Sequence, residues 1–118
     1  MDCPENHVIF NEGDQGEEMY YILEGEVALT KYVEGRNIEV ARLKAGDIFG
    51  EMALIRNQPR TTTATTTMPT RLLKITKDNF AEKMKGNSEF AFHLLKSLTQ
   101  RLEDTTNELM MLKFVISG

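Results

Sequence analysis

Glycine residues divide the first two-thirds of this 118-residue chain into short segments, and this spacing constrains the fold more than any other feature. The glycines stand at positions 13, 16, 25, 35, 46 and 50, and the runs between them are rich in Val, Ile, Tyr, Leu and Thr. Segments 19–23 and 27–32 flank a turn at 24–26, and a second turn at 34–37 precedes segment 38–43. Short strands joined by close turns predict an antiparallel sandwich or barrel.

A threonine-rich segment follows, with threonine at six of the seven positions 61–67. Because β-branched residues favour extended backbone, the run predicts a further strand. A low-complexity linker is the alternative. The strand is the better interpretation because Pro69 and an apolar segment at 72–75 follow at once.

The hydrophobic period changes after position 76. Thr76 is a candidate N-cap residue, Asp78 stands in the first turn of the helix that follows, and Gly86 ends it. The next helix contains neither Gly nor Pro before Gly118, a length typical of a coiled coil or of a helix packed against a partner. We therefore expect a single domain over 1–118, with strands over 1–76, a short helix over 77–86 and a long C-terminal helix over 87–116.

The long helix carries an apolar seam at alternating steps of four and three residues. Its members are Ala91, Leu95, Leu98, Leu102, Thr105, Leu109, Leu112 and Ile116. This pattern favours a left-handed contact between two helices, so we expect a parallel homodimer through the residues from Leu95 to Ile116. Thr105 interrupts the seam, with Thr106 beside it. These threonines are either tolerated or register-setting polar residues, or they contact a ligand.

Residues 49–62 carry the most informative chemistry. Gly50 and Glu51 open a short apolar turn, and Arg60 follows Glu51 by nine residues, with three threonines after it. Free amides at the start of a helical turn and an arginine fork both suit a phosphate. A nearby carboxylate can accept hydrogen bonds from ribose hydroxyls. The segment therefore predicts a site for a small anion attached to a sugar.

The same segment resembles the phosphate-binding cassette of the cyclic-nucleotide-binding domain family, whose pattern is F-G-E-x-A-L followed after a short gap by P-R-x-A. Here Phe-Gly-Glu-Met-Ala-Leu stands at 49–54 and Pro-Arg-Thr-Thr at 59–62. The chain is similar to the sensor domain of catabolite activator (CRP/FNR-type) regulators through segments 8–14, 25–27 and 45–48 to the last helix. Thr62 departs from the usual alanine and adds bulk where backbone approaches phosphate.

The resemblance implies a mainly β fold with C-terminal helices. It consists of an antiparallel β-roll of the double-stranded β-helix or jelly-roll type, with a short phosphate-binding helix inside it. A short helix and a long dimerisation helix follow. The tail 112–118 resembles the hinge that leads to the family's helix-turn-helix domain. The resemblance leaves three possibilities open: the sensor half of a transcription regulator, a standalone protein, or a piece of a channel, kinase or transporter.

The resemblance also implies a ligand, cAMP in the first place and cGMP in the second, and no cofactor. The ligand-binding residues expected from it are Val40, Ala41, Gly50, Glu51, Met52, Ala53, Arg60, Thr61, Thr62, Arg101, Thr105 and Thr106. Arg60 would pair with the phosphate, and Glu51 would contact Arg60 or the ribose 2′-hydroxyl. Val40 and Ala41 would lie along the base, whereas Val27 and Leu29 are assigned to the core of the roll.

Other functional classes receive less support. The net charge of −4 argues against nucleic-acid contact by this segment, and no apolar run is long enough to span a bilayer. A cytoplasmic protein without membrane contact is therefore expected. His7 and His93 stand far apart with no clustered third ligand, which argues against a metal site and against a metal-dependent cupin. No nucleophile–base pair indicates a catalytic residue.

Two functions remain open at this point. The leading interpretation is a cyclic-nucleotide sensor that relays binding through its C-terminal dimer helix. The alternative is a structural dimerisation module whose β-roll binds no cyclic nucleotide. The Gly50–Glu51 and Pro59–Arg60 pairs favour the sensor, because Arg60 is the residue that a decayed site would lose first.

Overall fold

The computed structural model describes the backbone of residues 1–86 and 88–117, and their side chains except at positions 55, 83, 84, 101, 104, 105 and 108–117. The strands are β1 Asp2–Cys3, β2 Val8–Phe10, β3 Glu18–Glu24, β4 Glu26–Val33, β5 Arg36–Lys44, β6 Ile48–Phe49, β7 Thr63–Thr66 and β8 Thr70–Thr76. The helices are α1 Glu51–Ile55, α2 Lys77–Gly86 and α3 Ser88–Ser117.

The strands form two four-stranded sheets, in the orders β1-β8-β3-β6 and β2-β7-β4-β5. Neighbouring strands in both sheets run antiparallel. The threonine-rich segment provides β7, which pairs with β4 at one edge and β2 at the other. The prediction of an antiparallel β-roll followed by helices is confirmed.

Strand β3 separates two apolar clusters, because alternate residues of a strand point to opposite faces. Tyr20 and Ile22 point into the roll, and Met19 and Tyr21 point toward the helices. The roll core consists of Cys3, Phe10, Tyr20, Ile22, Val27, Phe49, Ala64 and Leu72. Leu29 packs against this core while remaining partly exposed.

The second cluster, here called the helix-facing cluster, lies between the outer face of the roll and the helices. It consists of Met19, Ile48, Leu54, Ile75, Phe90 and Leu94, with Tyr21, Leu73, Phe80 and Leu98 partly buried against it. Leu54 belongs to α1, whereas Phe90 and Leu94 stand one turn apart on α3. The cluster therefore joins the short helix within the roll to the long C-terminal helix.

The start of α2 shows how local chemistry places a helix boundary. The backbone N–H of Thr76 donates to Asn79 Oδ1 at 2.9 Å, which is the return bond of a capping box with Thr76 at the N-cap position. The helix ends at Gly86. No helix in the described part of the chain combines the length and apolarity needed to cross a membrane.

Candidate functional site

The Arg60 side chain is almost fully buried, and three groups hold its guanidinium. Nη1 donates to the carbonyl oxygen of Gly50 at 3.0 Å, and Nη2 donates to Glu18 Oε2 at 3.1 Å. The Cζ atom lies 4.2 Å from the centroid of the Phe10 ring, within cation–π range. These contacts come from β2, β3 and the residue before α1, so three separate segments fix one positive charge.

The backbone of Arg60 is held by the loop before β3. The Arg60 N–H donates to the carbonyl of Asp14 at 2.9 Å, and the Gly13 N–H donates to the carbonyl of Arg60 at 2.8 Å. The Asp14 carboxylate in turn accepts from the Asn11 N–H at 3.0 Å. Arg60 is therefore fixed at its backbone and at its side chain.

Two glycines make room for the guanidinium. A Cβ placed on Gly16 would lie 2.6 Å from Nη2 of Arg60, and a Cβ on Gly50 would lie 2.7 Å from Nη1. Gly50 also has a φ of 79°, in the left-handed region that favours glycine. A side chain at either position would therefore force the Arg60 guanidinium to move.

Gly50 is the N-cap residue of α1, and no side-chain hydrogen bond from the described residues caps this end of the helix. Glu51, the first helical residue, is buried although it carries a carboxylate. Ala53 and Leu54 are buried beside it, whereas Met52 is partly exposed. The turn thus places a carboxylate and the first backbone amides of α1 next to Arg60.

A cavity of about 90 Å³ opens beside the guanidinium. Its lining includes the predicted residues Gly50, Glu51, Met52, Ala53, Arg60, Thr61 and Thr62, together with Phe10, Leu29 and Pro59. A second cavity of about 430 Å³ is lined by the predicted Val40 and Ala41, and also by Leu29, Arg42, Leu43, Asp47, Ser97 and Gln100. Since Leu29 lines both cavities, they are neighbours across this one side chain.

The rim of the smaller cavity is held by a polar network. Lys31 Nζ donates to the carbonyl of Thr61 at 3.2 Å and to Glu12 Oε2 at 3.3 Å. Glu12 Oε1 accepts from the Tyr32 N–H at 2.9 Å. This backbone hydrogen bond, and then Lys31, hold the pKa of Glu12 below its ordinary value. The network ties Thr61 to the β4–β5 hairpin.

Burial and neighbouring charges shift another group near Arg60. Burial raises the pKa of the Tyr20 hydroxyl, and the Glu18 carboxylate raises it further, while the Arg60 cation opposes both. The charges of Glu18 and Arg60 thus both affect the pKa of a hydroxyl in the roll core. No group of three or more His, Cys, Asp or Glu side chains is arranged to hold a metal ion in the described ranges.

The structure describes the side chains of only some of the residues predicted on the long helix. Arg101, Thr105, Leu109, Leu112 and Ile116 have side chains outside the described residues. The Thr106 hydroxyl is exposed and donates to the carbonyl of Leu102 at 2.8 Å.

Leu95 and Leu102 are 61% and 68% exposed, which leaves them available to a partner, whereas Leu98 packs partly against the helix-facing cluster. Ser97 and Gln100, which are not among the predicted ligand-binding residues, bring α3 to the larger cavity.

Comparison with known proteins identifies the family to which this chain belongs. Residues 1–87 match the family model described as "Cyclic nucleotide-binding domain". A "CRP-like cAMP-activated global transcriptional regulator" of Mycobacterium tuberculosis is 31% identical over 115 residues, covering 97% of this chain and 51% of the relative. The chain spans about half the length of this relative and of the other full-length regulators that it resembles.

Solved structures agree with this match. The catabolite activator protein of Thermus thermophilus superposes with a TM-score of 0.81 at 29% identity, covering 97% of this chain and 54% of that one. The EAL enzyme Bd1971 superposes in its cAMP-bound form with a TM-score of 0.66 at 29% identity, covering all of this chain and 32% of that one. Its cGMP-bound form gives the same TM-score at 32% identity, covering 97% and 31%.

Proposed function

We propose, since the chain belongs to the cyclic nucleotide-binding domain family, that it is a regulatory module which binds cAMP beside Arg60 and transmits binding through α3. The observation that carries the proposal is the buried Arg60 guanidinium at the wall of a cavity shared with Gly50, Glu51 and Thr61. A cyclic phosphodiester has one negative charge, which one arginine fork matches in charge and in geometry.

The other parts of the ligand have places in the same region. Glu51 would accept hydrogen bonds from the ribose, and Thr61 and Thr62 would face the phosphate with hydroxyl and backbone groups. The base would extend past Leu29 along Val40 and Ala41. We keep Arg101, Thr105 and Thr106 as proposed contacts on the strength of the family resemblance.

Transmission to α3 would use two links. The larger cavity has walls from β5 and from Ser97 and Gln100 of α3, so a base bound there touches both the roll and the helix. In the helix-facing cluster, Leu54 of α1 shares a packed environment with Phe90 and Leu94. If the preferred position of α3 differs between the free and bound states, ligand affinity and helix position share one coupling free energy.

A homodimer through α3 is part of the proposal. Phe92, Leu95 and Leu102 leave large apolar side chains 61–68% exposed on this helix. Changing both Leu95 and Leu102 to Glu should convert a dimer into a monomer, measured by sedimentation at micromolar concentration. Glu103→Gln, a change at an exposed position of the same helix, is the control. A wild-type monomer would contradict the dimer and leave the nucleotide site unaffected.

Isothermal titration with cAMP and cGMP, with 5′-AMP as the open-phosphate control, tests the binding site. We expect heat from cAMP, less from cGMP, and a melting temperature that rises with ligand concentration because only the folded state binds. A protein that dimerises but shows neither heat nor a thermal shift at millimolar cyclic nucleotide would instead be the structural dimerisation module.

A further inference from the structure

The charge that would meet a phosphate is already neutralised in this domain. Glu18 Oε2 lies 3.1 Å from Nη2 of Arg60, whose side chain is only 3% exposed. Glu18 itself is 29% exposed, so its carboxylate spans from the buried guanidinium to the surface. A buried cation without a counterion is costly, and Glu18 reduces that cost in the ligand-free state.

The other carboxylate oxygen already faces a second cation. Glu18 Oε1 lies 3.6 Å from Nζ of Lys74, which is half exposed. Strand β3 pairs with β8 so that Tyr20 lies opposite Lys74 and Glu18 lies opposite Thr76. Lys74 is therefore the diagonal neighbour of Glu18 on one face of the sheet, within reach of a long side chain.

We propose that Glu18 competes with the nucleotide phosphate for Arg60, and that phosphate binding moves the carboxylate from Arg60 to Lys74. The inference rests on the proposed function, because the competing anion is the phosphate of that site. With Glu18 in place, a bound phosphodiester would put two anions on one guanidinium in a largely buried site. Repulsion between like charges is stronger there than in water. Transfer to Lys74 removes this repulsion and leaves each cation with one anion.

The opposite role for Glu18 is that of a positioning residue, whose carboxylate holds Arg60 in the correct orientation for phosphate. The two roles predict opposite effects of one substitution. Glu18→Gln removes the charge and keeps an oxygen that can accept from Nη2. Competition predicts tighter binding, and positioning predicts equal or weaker binding.

The experiment measures cAMP affinity by titration calorimetry, and ligand-free melting temperature, for wild type, E18Q, K74Q and the double variant. E18Q should bind cAMP roughly tenfold more tightly, equal to about 1.4 kcal/mol, while its ligand-free form melts at a lower temperature. K74Q should bind several-fold more weakly, because the displaced Glu18 loses its second partner. In the E18Q background, K74Q should have little effect on cAMP affinity, since no carboxylate at position 18 remains to pair with Lys74.

E17Q is the matched control. It removes the same charge one residue away, at a carboxylate that is 70% exposed and lies 4.0 Å from Lys77. If E17Q tightens binding as much as E18Q does, a general charge effect replaces the proposed competition. Equal or weaker binding by E18Q, with wild-type binding intact, also overturns the competition and leaves the nucleotide site standing.

Two further outcomes separate this inference from the proposed function. Binding by E18Q but not by wild type would support the competition and show that Glu18 keeps the native site closed to cAMP. Absence of binding in every variant would overturn both, because removing the competitor would have exposed no phosphate site.

Discussion

The roll core and the helix-facing cluster share strand β3 but reach the candidate site in different ways. The roll core contributes Phe10, whose ring lies against the Arg60 guanidinium. The helix-facing cluster contributes Leu54, from the short helix that follows Gly50. One cluster therefore fixes the position of a charge, whereas the other connects the wall of the cavity to α3. If α3 transmits binding as proposed, we expect stability and transmission to be altered by substitutions in different clusters.

The largest expected effect comes from truncating a large side chain in the roll core. Phe49 is fully buried and packs against the rings of Tyr20 and Phe10, with centroids 5.3 and 5.9 Å away. Phe49→Ala should lower the free energy of unfolding by about 3–5 kcal/mol through lost burial and the cavity left behind. Chemical denaturation followed by circular dichroism measures this change.

Leu94→Ala in the helix-facing cluster is the comparison variant. We expect it to increase amide hydrogen exchange in α3 more than in β3, because Leu94 joins the helix to the outside of the roll. Equal acceleration in β3 and α3 would show that the two clusters unfold as one unit and would break the distinction between them.

Arg60→Ala tests the site itself. It should weaken cAMP binding by about 2–5 kcal/mol, since it leaves the phosphate without its charge partner in a buried position. Arg60→Lys should lose much of the same affinity because the fork geometry is absent. The control is Arg71→Ala, which removes an exposed guanidinium paired with Asp2. Unchanged affinity in Arg60→Ala would place the phosphate elsewhere.

The roll core supports Arg60 through Phe10, and its effect on cAMP affinity is expected to be smaller than that of Arg60 itself. Phe10→Leu keeps an apolar side chain but removes the ring 4.2 Å from Arg60 Cζ. The ring orients the guanidinium, and the full cation–π contact is worth about 0.5–2 kcal/mol, so cAMP affinity should fall by roughly twofold and by no more than about thirtyfold. The control is Phe90→Leu, which changes a ring in the other cluster. If Phe90→Leu weakens affinity as much, the two clusters do not differ in how they support Arg60.

Much of this arrangement follows from local sequence. Glycine turns and β-branched runs predict the strands, because turn geometry and side-chain alternation act over a few residues. The motif at 49–62 predicts most of the cavity wall for the same reason, since its members lie within fourteen residues.

The partners of Arg60 could not be predicted in this way. Glu18 lies 42 residues from Arg60 in sequence, and Phe10 and Gly16 come from the same distant region. Their approach depends on how the two sheets close. A signal existed at Gly16, but a glycine in a loop does not identify the side chain that it accommodates.

Leu98 shows a second limit of sequence. Its place in the four-three seam predicts a partner helix, yet a packed apolar face does not specify what covers it. In the structure Leu98 lies partly against the helix-facing cluster, while Leu95 and Leu102 remain exposed. The dimer interface proposed for these residues stays a prediction until the oligomeric state is measured.

The smallest expected effect concerns Glu12, which belongs to neither cluster and ties the β4–β5 hairpin to the loop beside the cavity. The Tyr32 N–H, and then Lys31, lower the pKa of Glu12 in the folded state from its ordinary value of 4.5. A carboxyl whose pKa is lowered on folding contributes stability above its unfolded-state pKa. That contribution is lost as the pH falls through the folded-state value. The domain should therefore lose part of its stability below about pH 4.5 through this group.

Glu12→Gln isolates that contribution, because the amide oxygen can still accept from Tyr32 while the charge is gone. We expect the variant to melt slightly below wild type at pH 7 and to approach wild type as the pH is lowered to 3. Glu5→Gln changes the same charge at an exposed position and is the control. Glu12 lies on the surface and its charge is screened by water, so the difference should shrink in high salt. If the gap between Glu12→Gln and wild type is constant with pH, the hairpin is held by the backbone hydrogen bond alone. The charge of Glu12 would then contribute nothing measurable to the stability of the cavity rim.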